Sequence, residues 1–177
     1  MADDNRNDPA ASASQDTASA APKPTLPKGM ILGKDGKPCR TCNSLTAFTS
    51  SNKTITKSAK SLPPKDCPPD VEALGRSSWT LLHSISATYP VSPTPQEQGD
   101  VKQFLGLFGK LYPCWVCAED FQAYMEREKI RASSRDEFGR WLCEAHNDVN
   151  RKLGKNEFDC GKWEERWRTG WKDGRCG

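Results

Sequence analysis

Four of the chain's eight cysteines come as two pairs of the same spacing, "CRTC" at Cys39–Cys42 and "CWVC" at Cys114–Cys117. The other four, Cys67, Cys143, Cys160 and Cys176, stand apart. A Cys-x-x-Cys pair serves thiol–disulfide exchange, half of a zinc site, or a local disulfide. Each use needs different surroundings, so the neighbours of the pairs decide what this chain can be. Eight cysteines are many for a reducing compartment, yet no secretory signal precedes them. The start, "MADDNRNDPAASASQDTASAAP", lacks an apolar core and carries acids, so it reads neither as a secretory signal nor as an Arg-rich transit peptide. An oxidising compartment entered without a cleaved signal reconciles the two observations. The mitochondrial intermembrane space is one such compartment.

The chain divides in two. Residues 1–66 read as a disordered N-terminal arm that carries the Cys39–Cys42 pair and then a flexible linker. The first part of it, to about residue 38, is Ala-, Ser-, Asp-, Pro- and Lys-rich and buries too little apolar surface to offset its ordering entropy. The Ser-, Thr- and Lys-rich linker that follows Cys42 gives the pair a reach of roughly 25–30 Å. Residues 67–177 read as the folded domain. Net charge is +3, with bases and acids interleaved as in "KWEERWRTGWKDGR". That describes a solvated helix face and not a nucleic-acid surface. No apolar run reaches the roughly 18 residues of a membrane span.

The fold class expected is all-α, a four-helix bundle with a short fifth helix. Pro69 and Asp70 open the first helix, and Val71, Leu74, Leu81, Leu82 and Ile85 form its apolar stripe. "TYPVSPTP" breaks it. Val101, Phe104, Leu105, Phe108 and Leu111 mark the second, ended by Pro113. The third begins at Cys114–Cys117 and carries Phe121, Tyr124 and Met125. Ser134 and Glu137 have capping-box spacing and open the fourth, with Phe138, Trp141, Leu142 and Val149. Trp163 and Trp167 belong to the short fifth.

This layout puts Cys114 and Cys117 at a helix N-terminus, where free N–H groups and the helix dipole stabilise a thiolate. Redox exchange is the leading reading, with a metal half-site and a structural disulfide as alternatives. A structural bridge would close a tiny loop and constrain the unfolded chain little. A hybrid zinc site of Cys114, Cys117, Cys143 and His146 is conceivable, and a zinc-stabilised binding module without catalysis is the alternative function. Cys143 and Cys160 suit a structural disulfide, because the loop between them makes a bridge worth roughly 3 kcal/mol. Cys39–Cys42 has no helix beside it and suits a mobile carrier of reducing equivalents. On the first helix Arg76, Trp79 and His83 share a face, and on the fourth His146, Asn147 and Asn150 cluster. Such sets can sandwich a flat ring and hydrogen-bond its edge. No Gly-x-Gly-x-x-Gly is present, so a dinucleotide would not lie in a Rossmann fold.

"LGRSSWTLLHSISATYP", "YPCWVCAEDF", "CEAHNDVNRKLGKNEFDC" and "ERWRTGWKDG" together resemble the Erv/ALR family of flavin-linked sulfhydryl oxidases. The resemblance covers residues 67–177, and "DGKPCRTCN" resembles the arm of fungal mitochondrial members. It implies a thiol oxidase with noncovalent FAD, usually a homodimer. Cys114 would exchange with the incoming sulfur and Cys117 would face the flavin. Cys39 and Cys42 would shuttle electrons. The flavin would be contacted by Gly75, Arg76, Trp79, His83, Tyr112, His146, Asn147, Asn150, Lys152, Leu153, Lys155, Arg166 and Trp167. The implied partners are a dithiol protein, the disulfide import receptor of the intermembrane space, and dioxygen or cytochrome c as acceptor. By analogy with animal members, Cys67 and Cys176 would bridge two subunits. No metal is expected. Trp115 receives no role: covering the disulfide and meeting the arm both remain open.

Overall fold

Asp70 starts the first helix in the way its position in the sequence requires. Its carboxylate accepts the Ala73 amide at 2.9 Å, meeting one of the N–H groups that a helix start leaves free. The structure, a computed structural model, describes residues 29–44 and 67–176. Helix α1 runs Val71–Thr88 and ends at Tyr89, ahead of Pro90. Helix α2 runs Pro95–Leu111, α3 Trp115–Arg127 and α4 Arg135–Lys152. Two short turns follow. Cys160–Lys162 is 3-10 and Glu165–Thr169 is π-wound. The expected fifth helix is thus one irregular coil whose winding loosens along its length.

Helix α1 packs on α4, and α2 on α3. The core between them is Leu82, Leu105, Phe121, Phe138, Trp141 and Leu142. Trp163, at the start of the irregular coil, is buried against Gly139 of α4, where an added Cβ would stand 2.6 Å from the indole. Its Nε1–H donates to Asp136 at 3.0 Å. The Cys143–Cys160 disulfide ties the same coil to α4, as the sequence led us to expect. No described helix is long and apolar enough to cross a membrane.

Three local expectations change. Leu81 and Leu111 belong to the apolar stripes but are 53% and 77% exposed. Leu82 takes the core position next to Leu81, and Leu111 is the last residue of α2, where the helix leaves the core. The capping box at Ser134 forms in one direction only. Ser134 accepts the Glu137 amide, while the Glu137 carboxylate pairs with Arg131 at 3.8 Å. The complete box is at Thr94 and Glu97, each side chain taking the other's backbone N–H.

The arm differs most from its composition. Residues 29–44 are folded. Gly33 N–H donates to Lys37 C=O at 2.7 Å and Cys39 N–H to Ile31 C=O at 3.0 Å, with Gly36 at φ +73° in the turn. The buried Asn43 amide pairs with both backbone groups of Ile31 at 2.8 Å and donates to Cys39 C=O at 2.7 Å. A disulfide joins Cys39 and Cys42 around a single 3-10 turn, Arg40–Cys42. Turn hydrogen bonds, a side-chain clamp and a covalent staple replace the apolar core that the segment lacks. The rest of the expected arm and its linker, residues 1–28 and 45–66, lies outside the described residues.

Candidate redox site and ring-lined pocket

Cys114 is the N-cap of α3, and its sulfur accepts the Cys117 amide at 3.3 Å. The two are joined in a disulfide. Pro113 fixes the chain just ahead of the helix, so both sulfurs occupy its N-terminal turn, as the sequence predicts. Cys114 is 1% exposed and Cys117 is half-buried. The zinc site built from Cys114, Cys117, Cys143 and His146 does not form, because the disulfides of Cys114–Cys117 and Cys143–Cys160 occupy all three of its sulfurs. Among the described residues no other group of metal-ligating side chains gathers.

The folded segment of the arm rests on this disulfide. Thr41, inside "CRTC", donates its hydroxyl to Pro113 C=O at 3.1 Å, and that hydroxyl is 3.6 Å from the Cys39 sulfur. On the other side of Cys114, the Trp115 Nε1–H donates to Leu32 C=O at 2.8 Å. Arg40 reaches Pro68 C=O at 3.2 Å, and Asn43 C=O accepts the Val71 amide at 3.3 Å. The two Cys-x-x-Cys pairs are therefore neighbours, although they lie 72 residues apart at Thr41 and Pro113.

Between α1, α4 and the irregular coil lies a pocket of about 140 Å³ lined by His83, Cys143, His146, Asn147, Asn150, Phe158, Arg166 and Trp167. Trp167 stacks on His83 at 4.3 Å and Trp79 stacks on His146 at 4.1 Å. The two histidines meet at 3.0 Å, His83 Nε2 to His146 Nδ1. Burial, then the neighbouring His146 and Arg166, pulls His83 down to about 3. Burial, then Lys155 and Arg166, pulls His146 down to about 4. Both rings are neutral near pH 7, so one nitrogen donates to the other. His83 Nδ1 is buried with no partner. A histidine with an orphaned nitrogen in the wall of a ring-lined pocket, with cationic neighbours, fits a flat polar ring that carries an anionic tail. That is the chemistry of the FAD the sequence implies. The volume is below the roughly 300 Å³ at which ligand pockets begin, so it suits a ring and not a whole dinucleotide. A larger cleft of about 500 Å³ runs past Arg127, Asp148, Arg151 and Glu157. Those side chains already pair with one another, and we read it as a solvated ion-pair surface.

The expected site residues divide accordingly. His83, His146, Asn147, Asn150, Arg166 and Trp167 come together at the pocket, with Trp79 stacked behind His146. Tyr112 packs on Phe108 and hydrogen-bonds Ser78; burial pushes its hydroxyl up. Ser78 and Trp79 adjoin on α1, so that helix links the disulfide's end to the pocket. Gly75 and Arg76 lie one turn or less away, with Arg76 exposed and 3.8 Å from Glu72. Lys152 pairs with Asp120 at 2.9 Å, and Leu153 and Lys155 are exposed. Asn147 does more than line the pocket. Its amide takes both backbone groups of Phe158, at 2.8 and 2.9 Å. Phe158, Ser78, Asn43, Thr41 and Leu32 were missed. For Leu32 no sequence signal exists, because it acts through its carbonyl.

A dithiol-type disulfide at a helix start, a second disulfide seated next to it and a ring-lined pocket in the same helical bundle define a helical thiol–disulfide oxidoreductase. The Erv1/Alr family model matches residues 76–168. The chain is 47% identical to the mitochondrial FAD-linked sulfhydryl oxidase ERV1 of Saccharomyces cerevisiae, over 81% of this chain and 89% of that one. It is 40% identical to the corresponding protein of Schizosaccharomyces pombe, over 78% and 90%. The crystal structure of the yeast Erv1 core superposes with a TM-score of 0.60 at 53% identity, covering 67% of this chain and 99% of that one. The chain belongs to the Erv1/Alr family.

Proposed function

We propose that this chain oxidises dithiols of a partner protein, passing electron pairs from Cys39–Cys42 to Cys114–Cys117 and on to FAD. It is an FAD-linked sulfhydryl oxidase, like its named relatives. The observation that carries the relay is the seating of Thr41 on Pro113, which sets one disulfide beside the other. A substrate thiolate attacks one arm sulfur and the other leaves as thiolate. The second substrate thiol then closes the substrate disulfide and leaves the arm as a dithiol. In the same way an arm thiolate attacks Cys114, and Cys117 leaves as thiolate. The second arm thiol then displaces Cys114, so two electrons and two protons have moved inward. Cys117 is suited to leave, because the first turn of α3 stabilises its charge.

Bound FAD supplies the electron-pair acceptor that passes electrons on to dioxygen or cytochrome c. Trp79, His83, His146 and Trp167 would wall its ring, and His83 Nδ1 would find its missing partner. Asn150, Arg166 and Lys155 would meet its polar parts, with Gly75, Arg76, Tyr112, Asn147, Lys152 and Leu153 completing the site. The compartment is the mitochondrion, within it the intermembrane space, and the substrate is the disulfide import receptor there. Cys67 and Cys176 are both free and exposed, which supports two Cys67–Cys176 bridges across a homodimer. Non-reducing electrophoresis should give a dimer that reductant splits. A monomer under both conditions discards the bridges.

Changing Cys39→Ser together with Cys42→Ser tests the relay. Oxidation of a protein dithiol should stop while oxidation of dithiothreitol continues. Survival of both activities means that the arm carries no electrons.

A further inference from the structure

We propose that Trp115 latches the folded segment 29–44 over the exchange disulfide, so that the seated segment decides which thiols reach Cys114. This rests on the relay just described. Trp115 is the residue after Cys114, and it is 36% exposed, the largest aromatic so open in the described chain. Its one polar atom is nevertheless used, donating to Leu32 C=O at 2.8 Å. On the far side of Cys114 the Thr41 hydroxyl holds Pro113 C=O. The arm is thus fastened to the two residues that flank the exchange sulfur. Cys114 beneath is 1% exposed.

The segment is built to be seated as a unit. The Asn43 amide holds Ile31 and Cys39, so Leu32, Thr41 and the disulfide keep their relative positions. Asn43 C=O and Arg40 fasten its other edge to Val71 and Pro68, at the start of α1. Seated, the segment closes Cys114 to thiols from solution. While it is seated, those thiols enter by way of the arm pair, and the electron pair moves on by exchange between Cys39–Cys42 and Cys114–Cys117; direct attack on Cys114 by a small dithiol is confined to the released fraction. One latch hydrogen bond changes the seated population about threefold to tenfold.

The test uses the FAD-loaded full chain. Trp115→Phe removes the N–H, and Thr41→Val removes the opposite latch. A tryptophan analogue with sulfur in place of the indole N–H at position 115 keeps the ring's shape. Anaerobic flavin bleaching is followed with dithiothreitol and, separately, with reduced ribonuclease A as a protein dithiol. The expected result has opposite signs. Bleaching by dithiothreitol speeds up and bleaching by the protein slows, each by about threefold to tenfold, at unchanged flavin content. Hydrogen exchange should show the Val71 amide less protected, with the amides of Gly33 and Cys39 unchanged relative to one another. Two rates that move together, or a Val71 amide as protected as before, overturn the latch. If wild type bleaches with neither reductant, the oxidase reading fails instead. The exchange experiment then still decides whether Trp115 seats the arm.

Discussion

Two asparagines far apart in the chain do the same work. Asn43 pairs its amide with both backbone groups of Ile31, and Asn147 does so with Phe158. Each side-chain amide pairs with a backbone as a neighbouring strand would. Asn147→Leu should therefore loosen the loop that closes the pocket and cost about 1–3 kcal/mol, read as a lower urea midpoint in the flavin-free protein. The histidines give a second prediction. The folded chain holds His83 at about 3 and His146 at about 4, against 6.5 for a free imidazole. Below 6.5 the unfolded chain takes up protons that the folded chain refuses. Stability from the neutral pair is full above 6.5 and falls as the pH drops toward 4. The urea midpoint of the flavin-free protein should drop between about pH 7 and about pH 5, a range above the carboxylates, and less so in His83→Gln. A flat wild-type midpoint would contradict this. Residue types were readable in the sequence here, because polar and ring side chains on a core face must serve something. Which nitrogen meets which was not, since His83 and His146 are 63 residues apart.

At the scale of elements, helix starts were the most legible feature. Asp70, Cys114 and Ser134 each cap where the sequence put them. Capping is local chemistry within four residues, so sequence spacing contains it. The stripes were less legible at Leu81 and Leu111, because periodicity marks a face and not the neighbour that covers it. Close approach was not legible at all. Gly139 looks like a weak point in α4, but the Trp163 ring occupies the space its side chain would need. Gly139→Ala should raise intrinsic helix propensity and still destabilise by about 1–3 kcal/mol, because a buried ring must move. Thr94→Ala, by contrast, should cost about 1 kcal/mol by opening the capping box ahead of α2. Denaturant midpoints separate the two. Gly139→Ala should also disturb near-ultraviolet circular dichroism from Trp163, and Thr94→Ala should not.

For the whole molecule, the three described disulfides have unequal tasks. Cys143–Cys160 spans a sequence separation of 17 and fastens the irregular coil, with Arg166 and Trp167, to α4. Removing it as Cys143→Ser with Cys160→Ser should cost about 3 kcal/mol and weaken FAD retention, as seen in a lower thermal midpoint and flavin released on gel filtration. The two Cys-x-x-Cys bridges, each at a separation of 3, add little by that entropy and are left for exchange. Pairing by spacing was readable, but the contact between the pairs was not, because composition marked the arm as unfolded. Four fastenings of the arm reach main-chain atoms on at least one side: Leu32, Pro113 and Pro68 as carbonyls, and Asn43 to Val71 through the backbone alone. Lys34, Asp35 and Lys37 take no part in seating and stay exposed at the tip. The tip is thus a cassette. Lys34→Ala, Asp35→Ala and Lys37→Ala can therefore change the charge carried over the exchange site while the seat beneath stays as it is.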